Sequence, residues 1–120
     1  MNPKQFQGII NASPEKRYHN FLSTVTDNEE IWMAGTSEGQ ATIDIDGYIH
    51  ILVWPLKEFC KFHLRPDEVP FSMEIHDFLE LCEGFDDSIR FMVFPTDANC
   101  YNVSTKKLCA DIQAYLDEIE

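Results

Sequence analysis

The stretch from Ala41 to Leu64, ATIDIDGYIHILVWPLKEFCKFHL, constrains the fold more than any other part of the chain. Asp46-Gly47 separates two β-rich runs, Thr42 to Ile45 and Tyr48 to Val53. Asp-Gly favours a type I′ turn, because both central residues need positive φ. A two-residue turn of that kind pairs Ile45 with Tyr48, Asp44 with Ile49 and Ile43 with His50. Alternation then puts Ile43, Ile45, Tyr48, His50, Leu52 and Trp54 on one face, and Thr42, Asp44, Ile49, Ile51 and Val53 on the other. A slip of one residue would exchange the two faces. The second run is apolar on both sides, which predicts a strand inside a sheet with its partner nearer an edge. Pro55 cannot donate to a ladder and suits the first turn of a helix. Glu58 lies where the helix dipole favours a carboxylate. Leu56, Phe59, Cys60 and His63 follow at helical spacing, and Arg65-Pro66 ends the run.

The rest of the chain supplies elements to pack on this core. A short helical turn is expected around Phe6, Ile9 and Ile10. Ser13-Pro14-Glu15 is a helix start, with a capping hydroxyl, Pro at the first position and then an acid. Tyr18, Phe21, Leu22 and Val25 form one apolar stripe, and Asp27-Asn28 ends that helix. Ile31 to Ala34 reads as a strand with Trp32 and Met33 on opposite faces, and the segment from Gly35 to Gly39 reads as a loop. Three successive strands with short connections suggest an antiparallel meander. Val69 to Met73 reads as a strand that Pro70 confines to an edge. Glu74 to Glu83 reads as a helix with Ile75, Phe78, Leu79 and Cys82 inward and Gly84 as its C-terminal cap. Ile89 to Phe94 is a strand, 96–99 a turn, and Tyr101 to Val103 a short strand. Ser104 caps a last helix whose inner stripe is Leu108, Ile112, Tyr115, Leu116 and Ile119. No repeat, low-complexity tract or linker divides the 120 residues, so one domain over 1–120 is expected. The pattern predicts an α+β fold: a mostly antiparallel sheet of about four to six strands, with N-terminal and C-terminal helices packed on it.

A net charge of −12 repels phosphate backbones and anionic membrane surfaces, which argues against nucleic-acid and membrane partners. It permits a basic protein partner. The charge is concentrated: Asp67, Glu68, Glu74, Asp77, Glu80, Glu83, Asp86 and Asp87 fall in a segment without Lys or Arg. Glu74, Asp77, Glu80 and Glu83 fan across the outer face of the predicted helix and form a candidate acidic interaction surface. The N-terminal residues lack the apolar core of a signal peptide. No window approaches the ~20 apolar residues of a membrane span. Cys60, Cys82, Cys100 and Cys109 contain no C-x-x-C pair, and the chain is expected to be cytoplasmic with reduced, mostly buried thiols.

Candidate sites are few. Cys60-x-x-His63 puts two zinc-type ligands one helical turn apart, but no further pair completes a set, so no metal is predicted. Asp44-x-Asp46-Gly47 resembles part of a calcium loop, yet the later ligands are missing and the hairpin accounts for both Asp46 and Gly47. A Cys–His pair on one helix turn, Cys60 and His63, could activate a thiol, but acidic surroundings raise its pKa and no third group is placed, so no catalytic thiol is assigned. There is no G-x-S-x-G elbow, no phosphate loop and no dinucleotide fingerprint, so no catalytic residue and no cofactor is predicted. Tyr48, His50 and Trp54 share a face, and Trp32 joins them from the neighbouring strand. Such rings line a small-molecule pocket, anchor an interface, or form core between sheet and helices.

Arg17-Tyr18-x-x-Phe21-Leu22, Ile31-Trp32 and Val53-Trp54-Pro55-x-x-Glu58-Phe59 resemble a family of small, mostly bacterial proteins, domain-of-unknown-function family twenty-seven-fifty. The acidic 74–83 helix and the strand ending in Phe94-Pro95 add to the resemblance, which spans nearly the whole chain. The layout also resembles SseB-like domains and some acidic immunity proteins of bacterial toxin systems. The family implies no catalytic residues. The expected function is therefore a non-enzymatic protein-interaction module of immunity-like type. The alternatives are a small-molecule domain using the aromatic cluster, and an enzyme with a site no motif declares. An exposed edge strand offers a route to a homo-oligomer.

Overall fold

The structure, a computed structural model, describes residues 3–36, 39–40, 42–60, 64–96 and 99–119. The Asp-Gly hairpin sets the centre. Asp46 (φ 53°) and Gly47 (φ 84°) both take positive φ. β3 (Thr42–Ile45) then pairs with β4 (Tyr48–Trp54) in the register the turn dictates: Ile45 with Tyr48, Asp44 with Ile49 and Ile43 with His50. β4 is inside the sheet, as its two apolar faces require.

β1 (Glu30–Thr36) and β4 pair directly only at Trp32–Trp54 and Met33–Val53. Beyond that they splay, and β2 (Gly39–Gln40), paired with Gly35 and Thr36, shares the opening with β3. Gly35 pairs with Gln40 across β1 and β2. A Cβ there would lie 2.6 Å from the Gly39 carbonyl oxygen and 2.8 Å from Phe71. β5 (Val69–Glu74) runs along the far edge of β1, and β6 (Ile89–Val93) along the far edge of β4. β7 (Tyr101–Ser104) closes the other side by pairing with β6.

Among the described residues the result is an α+β fold built on a mixed sheet of seven strands rather than four to six. The extra count comes from β2, which the sequence reading leaves inside a loop. The pairings are antiparallel except for β4 with β6, which is parallel. The crossover between them carries α3 (Lys57–Cys60), β5 and α4 (Ile75–Cys82). β5 does not continue the meander beside β4; it goes to the outside of β1, where Pro70 needs no ladder partner on its free side.

α1 (Pro3–Ile10) and α2 (Pro14–Asn28) open the chain, and α5 (Thr105–Ile119) closes it. Ser13 caps α2 by accepting from the Lys16 N–H, and Ser104 caps α5 by accepting from the Lys107 N–H. α2 ends on Glu29 in the left-handed region. Glu83 caps the C-terminal end of α4 with helical φ, so the left-handed cap expected at Gly84 is not used. α3 begins after Pro55 and is described as far as Cys60; His63 lies outside the described residues, as do 37–38 and 97–98 and the side chains of Phe6 and Ile119.

One face of the sheet presents Ile31, Met33, Ile51, Val53, Phe91 and Val103 to α2, α4 and α5. Tyr18 stacks on Tyr101 at 4.4 Å between centroids, and Phe78 meets Phe91 edge-on at 5.4 Å. The other face is buried too, over Ala34, Leu52, Trp54 and Met92. Among the described residues no helix is long and apolar enough to cross a membrane.

Candidate functional site

The four aromatic and imidazole rings that the sequence groups do share a sheet face, but they do not form an open pocket together. Trp54 is fully buried, and its indole N–H donates to the Pro95 carbonyl at 3.1 Å. His50 is buried, with Nδ1 at 3.2 Å from the Tyr48 carbonyl oxygen. Trp32 is half-buried opposite Trp54. Only Tyr48 is open, at 43% exposure, and Arg90 lies over its ring at 5.6 Å. The register explains the split. Trp54 and Trp32 pair where β1 and β4 meet in mid-sheet, whereas Tyr48 sits at the hairpin end of β4.

The acidic set also divides. Glu74, Asp77, Glu80 and Glu83 are all exposed. Glu74 is the N-cap of α4, accepting from the His76 N–H, and its Oε1 lies 2.8 Å from His76 Nδ1. Burial opposes ionisation there, but the bonds from His76 outweigh it and hold the carboxyl below its ordinary range. Glu74 is therefore used by the fold. Asp77 and Glu80 point to solvent, and Glu83 stands at the mouth of a groove.

That groove, about 600 Å³, lies between the C-terminal end of α4, the turn that follows it, the start of β6 and the first turns of α5. Leu79, Phe85 and Ile89 give it an apolar floor. Glu83, Asp86 and Asp87, all exposed, form an acidic lip, and Arg90 and Lys106 also line the groove. Tyr48 closes one end, and Cys82 and Cys109 stand in the wall. Local bonding fixes the lip. Asp86 Oδ1 accepts from the Ser88 N–H at 2.8 Å and from the Ser88 hydroxyl, which lowers the Asp86 carboxyl from its ordinary value. Thr105 is held at the rim by donating to the Ile89 carbonyl at 2.7 Å. A volume of this size fits a few side chains of a peptide or one small molecule.

Cys60 is not a reactive thiol. It is fully buried, 4.0 Å from the carbonyl oxygens of Met33 and Leu56, and burial pushes it up to about 12. Among the described residues no three His, Cys, Asp or Glu side chains are arranged to hold a metal ion. A second depression, about 490 Å³, lies between α1 and α2 beside Ile9 and Lys16. Arg17 at its edge is already committed to carbonyl oxygens: Ala12 at 2.6 Å, Asn99 at 3.2 Å, and Phe94 and Ile10 at 3.4 Å.

The groove is not visible in the sequence. Arg90 and Lys106 flank the acidic segment, but only the parallel pairing of β6 brings Arg90 beside Tyr48. No protein-family model matches the chain and no curated protein matches it, so the resemblance to family twenty-seven-fifty stands on the quoted residues alone.

Proposed function

We propose that the protein is a non-enzymatic interaction module, working in the cytoplasm, that receives a basic and partly apolar segment of a protein partner in the α4–β6–α5 groove. The observation that carries this reading is the joining of an apolar floor (Leu79, Phe85, Ile89) to an acidic lip (Glu83, Asp86, Asp87). The lip continues onto the exposed acidic face of α4, where Asp77 and Glu80 extend the field. Such an arrangement suits Arg or Lys side chains, whose stems lie on apolar surface while their heads meet carboxylates. The net charge of −12 attracts a basic partner from a distance and speeds encounter. The layout's resemblance to acidic immunity proteins makes a basic toxin-like protein the first partner class to try.

Titration of the isotopically labelled chain with an amphipathic Arg/Leu peptide tests the reading by NMR. Shifts should map to Tyr48, Phe85, Arg90 and Cys109 and weaken with added salt. A Glu/Leu peptide should leave them unmoved. Equal responses to both peptides, or shifts confined to other surfaces, would refute the reading. Tyr48 at the groove's end supports a second reading, a small-molecule site. Groove shifts with a small-molecule fragment library but none with the basic peptide would favour it.

A further inference from the structure

The last turn of α4 and the first turns of α5 meet along one wall of the groove, and each contributes a cysteine there. Cys82 and Cys109 are both free thiols and both line the groove. The two helices pack against one another, and the two neighbouring thiols shift each other's titration in opposite directions. Cys82 is buried, whereas Cys109 is half-buried and open to whatever enters the groove. The other two cysteines differ. Cys60 is sealed in the core, and Cys100 donates to the Asn102 side-chain oxygen at 3.2 Å.

We propose that Cys82 and Cys109 form a redox site in which a peroxide entering the groove converts the two thiols into a reversible disulfide tying α4 to α5. The Cys109 thiolate attacks one peroxide oxygen and the O–O bond breaks. This leaves a sulfenic acid on Cys109 and a hydroxide that takes up a proton and departs as water. The Cys82 sulfur, giving up its proton, then attacks the Cys109 sulfur. The S–S bond forms, the S–O bond breaks, and the leaving hydroxide takes that proton to become a second water. Two thiols and one hydrogen peroxide thus give one disulfide and two waters. Each sulfur is oxidised by one electron, and the peroxide is reduced by two. A small dithiol reverses the reaction by exchange.

The placement assigns the two roles. Cys109 is the accessible attacker, and Cys82 behind it is the resolving thiol. The hydrogen bond from Cys82 lowers the Cys109 thiol below its ordinary value, against burial and the nearby Glu83 carboxylate. The same bond, together with burial, raises Cys82. Asp86, Asp87, Arg90 and Lys106 also line the groove, so the thiol sits among charges of both signs. An accessible, lowered thiol beside a resolving cysteine is the arrangement that oxidises to a disulfide rather than further. The two helices that carry the thiols are packed against each other, and the disulfide closes when the sulfurs come to about 2 Å.

Peroxide treatment of the reduced full chain, followed by alkylation, intact mass and peptide mapping, tests this. The expected product has lost the mass of two hydrogen atoms and joins the Cys82 and Cys109 peptides. Dithiothreitol should restore both thiols, and C100A should behave like the unsubstituted chain. C109A should lose the product entirely. C82A should instead leave a sulfenic acid on Cys109 that dimedone captures. The proposal falls if Cys82 and Cys109 alkylate as readily after peroxide as before. It also falls if Cys100 is consumed first, or if the linked peptide forms as fast in the urea-unfolded chain as in the folded one.

Discussion

The indole N–H of Trp54 donates to the carbonyl of Pro95 at 3.1 Å, joining the end of β4 to the chain leaving β6. These two strands are the parallel pair, and they are separated in sequence by the whole crossover. The bond is buried with the ring, so Trp54→Phe removes it, leaves the Pro95 carbonyl without that donor and opens a cavity. A loss of about 2 kcal/mol in urea unfolding is expected, with peptide shifts in the groove unchanged. A variant that loses groove binding while keeping its stability would instead place Trp54 in the site.

Arg17 holds a neighbouring corner. Its guanidinium is buried and reaches the carbonyls of Ile10, Ala12, Phe94 and Asn99 and the Asn99 side-chain oxygen. Phe94, whose ring lies 5.9 Å from the guanidinium carbon, has φ 51°, a conformation that costs a non-glycine residue energy. Its N–H donates to the Val53 carbonyl at 2.8 Å, so it is held from both sides. Lysine cannot reach five acceptors from one ammonium. Arg17→Lys should therefore destabilise the chain by roughly 2–4 kcal/mol, read by thermal and urea unfolding.

Acid should unfold the protein partly through Asp111. Its Oδ2 accepts from the Tyr18 hydroxyl at 2.6 Å and from Lys107 Nζ at 2.9 Å. Burial raises this carboxyl, but the donated bonds outweigh it, so the folded-state pKa lies below the ordinary value. A depressed carboxylate stabilises the fold at pH above its unfolded pKa of about 3.9 and loses that contribution as pH falls through the folded value. Melting temperature should drop below about pH 4, and Asp111→Asn should flatten part of that limb. Glu74 and Asp86 are shifted the same way, so a residual slope is expected in the variant.

The parts of the fold legible in the sequence are those fixed by local chemistry. Asp46-Gly47 sets the hairpin register, Ser13-Pro14 and Ser104 start their helices, and Pro70 marks an edge. What is not legible depends on which distant strands meet. Local pattern confines β5 to an edge but does not say which strand it pairs with. The fold puts β5 outside β1 and lets β6 take the place beside β4. That exchange creates the groove, because it sets Arg90 beside Tyr48 and swings α4 against α5. The aromatic face is read correctly as a face, since alternation fixes it. Alternation does not choose between core and pocket, since that depends on what covers Trp54; Trp54 and His50 take the core alternative. Cys82 and Cys109 belong to two separate helical patterns, and nothing in either says that they meet.

The groove lip and the outer face of α4 should separate in a charge-reversal experiment. Glu83→Lys, Asp86→Lys and Asp87→Lys together remove the carboxylates nearest a bound cation. Affinity for the Arg/Leu peptide should fall by about tenfold. Asp77→Lys with Glu80→Lys should mainly slow association and reduce its salt dependence, leaving the dissociation rate unchanged. Stopped-flow fluorescence with a labelled peptide reads both rates. Equal effects of the two variants on dissociation would mean that the bound segment lies along α4 and not in the groove.

Oxidation at Cys82 and Cys109 should change stability in a direction that reports how well the two thiols are pre-placed. The disulfide closes a loop over residues 82–109 that contains β6 and β7. Loop-closure entropy sets a ceiling of about 3–4 kcal/mol for such a loop, and any distortion of α4 or α5 subtracts from it. Both helices are packed against the sheet and against each other. A bond that fits their resting positions keeps most of that gain. The urea midpoint of the oxidised chain should then exceed that of the reduced chain. A midpoint that falls on oxidation would mean that the helices must move apart from their packing to make the bond.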